Sequence, residues 1–157
     1  MNISATIENT CESEEVPDPS MMRRWLSAAL THYPNNDVEL GIRIVDEIES
    51  QALNLRYRQC EAPTNVLSFP ADLPAYVQPP LLGDLVICAP VVAREAREQR
   101  KTLNAHWAHM VVHGVLHLLG YDHIKESEAT IMEALETDIL RNLNYPAPYT
   151  PATVGSV

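Results

Sequence analysis

From position 113 to 123 the chain reads H-G-V-L-H-L-L-G-Y-D-H, and His113, His117 and His123 are the residues whose type and spacing best suit chemistry. Residues four apart on an α-helix differ by about 40° in azimuth and about 6 Å in height, so the imidazoles of His113 and His117 project side by side. Gly120 tolerates the left-handed conformation that ends a helix, which turns the chain back and lets His123 approach the first two. Three imidazoles suit one divalent ion per chain. Zinc is the expected one, although imidazole also accepts nickel, copper and iron. Three protein ligands leave a coordination position open for water, the mark of a hydrolytic rather than a structural site.

The same spacing, H-x-x-x-H-x-x-G-x-x-H, matches the metzincin metalloproteases, whose motif has a glutamate directly after the first histidine. Here that place is Gly114, which has no group to take a proton from water. A metallopeptidase or amidase would therefore need a base from elsewhere. Asp122, beside His123, reads as a carboxylate that orients an imidazole. His106 and His109, upstream on the same stretch, read first as a polar helix edge, with a hydrogen bond behind a metal ligand or an RNA contact as the alternative, and His32 as an ordinary histidine near a helix end.

The elements that must position these residues are legible as periodicities. Ile3, Ala5 and Ile7 alternate with polar residues over 2–9, and Val38, Leu40, Ile42 and Ile44 do so over 38–45, the period of half-buried strands. Residues 64–69 and 85–88 are two further short strands. Helices are expected over 20–32, where Pro34 ends the pattern, and over 46–58, 91–101, 103–119 and 126–143. In the last of these Ile131, Leu135, Ile139 and Leu143 recur every four residues. The proline-rich stretch 70–82 suits an ordered loop over a cleft. Residues 1–143 are expected to form a single α+β domain, a mixed sheet of about four strands with packed helices and a zincin-like metal-binding helix. Residues 144–157, with Pro146, Pro148 and Pro151, are expected to be disordered.

A chain of 157 residues is the size of one ordinary domain. Cys11, Cys60 and Cys88 are odd in number and form no C-x-x-C pair, which argues against a disulfide framework or a thiolate metal site. With no apolar run long enough to span a bilayer and no signal-peptide pattern, a soluble, cytoplasmic protein with no membrane partner is expected. The formal charge of −10 weighs against indiscriminate binding of polyanions.

The stretch H-G-V-L-H-L-L-G-Y-D-H, preceded by A-H-W-A-H-M-V-V, resembles the signature of the YbeY-type endoribonucleases, bacterial rRNA maturation factors. The segments L-N-L-R-Y-R at 53–58, P-T-N-V-L-S-F-P at 63–70 and L-G-D-L-V-I-C at 82–88 agree, so the resemblance spans about residues 38–143. It implies a metal-dependent endoribonuclease directed at single strands. Its partners would be ribosomal RNA or its small-subunit precursor and the small ribosomal subunit with its proteins, and its roles rRNA processing and ribosome quality control. It further implies that His113, His117 and His123 are the metal ligands and that the family's functional arginine falls on Arg58. A permanently charged guanidinium there would suit a scissile phosphate. Arg94, Arg97, Arg100 and Lys101, with Arg56 and Arg58, are expected to line a positive groove for the RNA backbone. A non-catalytic ribosome-assembly factor with a structural metal is the alternative outside enzymes.

Overall fold

The period-two stretches are realised as parallel neighbours: β1 (Asn2–Asn9) leans Ile3, Ala5 and Ile7 against the core, and β2 (Asp37–Val45) buries Val38, Leu40, Ile42 and Ile44. These and the elements below come from a computed structural model that describes residues 2–11, 13, 15–34, 37–71, 73, 80–122 and 125–149. Between the two strands runs α1 (Pro19–Ala29), started by Asp18, whose carboxylate accepts from the Ser20 backbone N–H at 2.8 Å. Then follow α2 (Glu47–Arg58), β3 (Val66–Pro70), β4 (Leu81–Cys88), α3 (Ala89–Glu98), α4 (Leu103–Leu118) and α5 (Glu126–Asn142). The fold is the expected α+β class with a mixed sheet. In the order β1-β2-β4-β3, the first three strands are parallel and β3 runs antiparallel along one edge.

From Leu85 to Cys88 the interior strand β4 is a continuous apolar run, because both of its faces are covered there. Leu85 and Ile87 face the larger core, made with Trp25 and Leu26 of α1, Trp107, Val111 and Val115 of α4, and Met132 and Leu140 of α5. Val86 and Cys88 join Val45, Leu67 and Val91 in a smaller core on the other side, with Leu53 of α2 and Phe69 packed against it. Each fully buried large apolar side chain contributes about 1.5–3 kcal/mol. α4, with Trp107, Val111, Val112 and Val115 all fully buried, is thus held in one register across the sheet. Among the described residues no helix is long and apolar enough to cross a membrane. The three cysteines are free, as expected from their number and spacing.

Three expectations need correction. β4 begins at Leu81 rather than at 85, because pairing with β2 and β3 extends it into what the prolines had marked as loop. Residues 72 and 74–79 of that stretch lie outside the described residues. On α5 Leu135, Ile139 and Leu143 pack against the core, as the repeat read in the sequence suggests, but the buried positions are Met132, Glu136 and Leu140, and Ile131 is exposed. Finally, residues 144–149 are not a loose tail. Tyr145 packs edge-on against Trp25 with ring centroids 6.4 Å apart, and Tyr149 reaches Glu136. Residues 150–157 lie outside the described residues.

Candidate metal centre and active-site cavity

His106, His109, His113 and His117 run down one side of α4, at steps of three, four and four, with successive ring centroids 6.1, 6.0 and 4.6 Å apart. The helix ends as its sequence predicts. Gly120 takes φ 102°, its N–H donates to the His117 carbonyl, and the Tyr121 N–H reaches back to the Leu116 carbonyl, both at 3.0 Å. That turn brings Asp122 onto the same cavity as His113 and His117. His123, the expected third ligand, and its neighbour Ile124 lie outside the described residues.

The cavity, of about 910 Å³, lies against edge strand β3, with Val66 to Pro70 along it and Tyr57 and Arg58 at the end of α2. Asp46 caps the start of α2 by accepting from the Glu49 N–H at 2.9 Å, and Gln59, at φ 58°, stops it directly after Arg58. The Ser68 hydroxyl donates to the Gly114 carbonyl at 3.1 Å, which ties β3 to α4 beside His113. The fold thus brings Arg58, Asp122, His113 and His117 to one cavity from three places in the chain.

The two sides of the His113 ring meet different partners. Its Nδ1 lies 2.6 Å from Glu136 Oε1, and its Nε2 lies 3.1 Å from His117 Nε2. Glu136 is fully buried, and burial alone would raise its pKa. Hydrogen bonds from His109 and His113 outweigh that and hold the carboxyl at about 2. A carboxylate only accepts, so the His113 proton belongs on Nδ1 and, in the neutral ring, Nε2 is a lone pair turned toward His117. Two imidazole nitrogens bound tetrahedrally to one zinc at about 2.0–2.1 Å would stand roughly 3.3 Å apart, close to the spacing found. The donor set and its backing carboxylate therefore fit a metal ion.

His109, His113 and Glu136 also bring donor atoms within 4.8 Å of one another, a set that could itself form a metal site. In that set the donors are hydrogen-bonded to each other. His109 Nε2 donates to Glu136 Oε2 at 2.8 Å, and the Tyr149 hydroxyl donates to the same oxygen at 2.5 Å. Burial lowers the His109 pKa despite Glu136, so the ring is neutral; burial and the carboxylate raise that of Tyr149, so it remains a donor.

His106 and His109 are therefore not a polar edge. Both are buried, and His106 Nε2 pairs with Glu95 of α3 at 2.9 Å. Glu136 and Tyr149 were missed in the sequence. Glu136 had a signal, a lone charge midway between Met132 and Leu140 on an apolar stripe; Tyr149, among prolines, had none. The cations expected to line a basic groove meet different surroundings. Arg94 pairs with Glu47 at 3.3 Å, Arg97 with Glu15 at 3.4 Å, Lys101 reaches the Pro148 carbonyl, and Arg58 is the only one of the six expected cations that lines the cavity.

An α+β fold whose central helix offers paired imidazoles to a cavity, with a buried carboxylate behind one ring and an arginine on the same cavity, has a candidate metal site of the kind hydrolases use. Comparison with known proteins narrows the class. The profile of the family described as "Endoribonuclease YbeY" matches residues 6–144, and the chain belongs to that family. A relative from Cellvibrio japonicus (strain Ueda107), described as Endoribonuclease YbeY, is 53% identical over 147 residues, which cover 94% of this chain and 83% of the relative. The solution structure of TM1509 from Thermotoga maritima shares the fold, with a TM-score of 0.56 at 24% identity, over 90% of this chain and 91% of that one.

Proposed function

We propose that the chain is a zinc-dependent endoribonuclease that cuts single-stranded ribosomal RNA precursors, chiefly of the small subunit, in rRNA maturation and ribosome quality control in the cytoplasm. The observation that carries this reading is the 3.1 Å approach of the His113 and His117 Nε2 atoms on a cavity shared with Arg58. His123 completes the ligand set by its spacing from His117 across the Gly120 helix stop. When bound, the ion supplies Lewis acidity toward a phosphoryl oxygen and lowers the pKa of water from about 15.7 toward about 7.

The chain's own residues do the rest. Glu136 keeps a proton on His113 Nδ1, which fixes the tautomer and the ring orientation. Arg58 is exposed at the helix end and has no ion pair among the described residues, so its guanidinium is available to grip a phosphate and offset charge that develops there. Tyr57 meets Phe69 edge-on at 5.0 Å on the same cavity, and an exposed aromatic beside a cationic side chain suits the face of an unpaired base. That favours single strands over duplex. Gly114 disposes of the peptidase reading on structural grounds. A β-carbon there would lie 2.7 Å from Leu85 Cδ2 in the fully buried core, so the position faces the sheet and has no room for a carboxylate over the cavity.

Because the formal charge of −10 weighs against indiscriminate binding of polyanions, we assign recruitment to the ribosome to protein contacts rather than to a basic stripe. The test is zinc content and cleavage of a labelled single-stranded rRNA precursor for wild type, His117→Ala and Arg58→Glu. The histidine variant should lose metal and cleavage together, and the arginine variant cleavage alone, by about 100-fold or more. A folded wild type that holds zinc yet cuts nothing would instead identify an assembly factor with a structural metal.

A further inference from the structure

The segment after α5 is built into the wall behind the metal centre. Asn144, at φ 68°, ends the helix, with the Tyr145 N–H returned to the Leu140 carbonyl at 2.9 Å, and the chain doubles back. It is then pinned at successive points: Tyr145 on the buried Trp25, the Pro148 carbonyl on Lys101 Nζ at 3.4 Å, and the Tyr149 hydroxyl on Glu136 at 2.5 Å. Pro146 and Pro148 restrict the backbone between these points, which lessens the entropy lost in holding it there.

We propose that residues 144–149 are a strap belonging to the metal site, in which Tyr149 acts through Glu136 to position His113 and so sets the affinity for the ion. This rests on the reading of His113 as a ligand. Glu136 Oε1 accepts from His113 Nδ1–H, while Oε2 accepts from His109 Nε2–H and the Tyr149 hydroxyl. Donors on both oxygens leave the carboxylate one orientation, and the His113 ring follows it. Without the Tyr149 hydroxyl, Oε2 loses its shortest charge-assisted bond and can turn toward entering water, releasing the ring it aims. A purely structural role explains the contact poorly, because Tyr149 is 44% exposed and its engaged atom is the hydroxyl. The ring also stands edge-on to His109, centroids 5.4 Å apart, so the strap touches the network twice.

The experiment uses the full chain with Tyr149→Phe, Glu136→Gln and the double variant. The readouts are Zn²⁺ and Co²⁺ dissociation constants by competition with a chromophoric chelator, the visible spectrum of the Co²⁺ form, and the melting temperature of the metal-free chain. Tyr149→Phe should weaken metal binding by about 3–10-fold and alter the Co²⁺ bands. Glu136→Gln should weaken it by about 10–100-fold. Adding Tyr149→Phe to Glu136→Gln should then cost little more, since the two act as one unit. Unchanged affinity and spectrum in Tyr149→Phe, whatever its melting temperature, overturns the strap and leaves the ligand assignment standing. A wild type that binds neither ion overturns that assignment itself.

Discussion

His106 and His109 occupy the same face of α4 as His113 and His117, yet the two pairs meet different surroundings. The upstream rings are buried under neighbouring elements, His106 against Glu95 of α3 and His109 against Glu136 of α5. The downstream rings line an open cavity, their Nε2 atoms turned toward each other. One helix gives all four the same spacing. What differs is what stands opposite: where α3 and α5 pack over the stripe, burial demands a hydrogen-bonding partner, and farther along the stripe borders the cavity. His113 belongs to both worlds, with a buried carboxylate on one nitrogen and the cavity on the other.

The sharpest way to break this comparison is to remove one ring from each pair. His117→Ala should lower RNA cleavage by about 100-fold or more and abolish zinc binding, while the metal-free chain keeps its stability to within about 0.5 kcal/mol. His106→Ala should do the opposite, costing about 2–3 kcal/mol in urea unfolding through a cavity and an orphaned Glu95 partner, with zinc still bound. If the two variants shared one phenotype, the division into buried and cavity-facing pairs would be wrong.

A smaller perturbation tests the packing that holds the pairs in register. Gly114→Ala should destabilise by about 1–2 kcal/mol in denaturant, as the new methyl meets Leu85, and should yield no peptidase activity. The smallest expected effect is a pH dependence. Burial pushes the Glu95 carboxyl up, but hydrogen bonds from His106 and Asn65 outweigh it and hold it below 4.5. The folded chain then binds that proton more weakly than the unfolded chain, so the stabilisation is complete above about pH 4.5 and is lost as the pH falls below it. The stability gap between wild type and Glu95→Gln should be about 1 kcal/mol near neutrality and should narrow in acid.

How much of the site was legible depends on how local its geometry is. The projection of His113 beside His117 and the helix stop at Gly120 follow from backbone hydrogen bonding within a few residues, and the structure places both as read. The strands and helices were legible for the same reason, since apolar alternation at two or near four residues reports which side of an element is buried. The reading failed where a charged or polar side chain lies on a buried face. On α5 the repeat read in the sequence left out Glu136, a charge at a buried position, because the reason for that charge, the paired imidazoles across from it, is 23 and 27 residues away in the chain. The basic residues of α3 show the converse: a cluster of like charges is visible in sequence, whereas Glu47 and Glu15, which engage Arg94 and Arg97, come close only on folding.

The sequence by itself determined a helix with two imidazoles on one side, a glycine that ends it, and an α+β order of elements around it. Those are properties of a backbone with a fixed pitch and of side chains sorted by their aversion to water. Only the tertiary structure decided that Arg58 shares the histidine cavity, that Glu136 holds the far nitrogen of His113, and that Tyr149 closes over that carboxylate. Each of these is a contact between side chains from different elements, set by how the elements pack, and no periodicity along the chain records it.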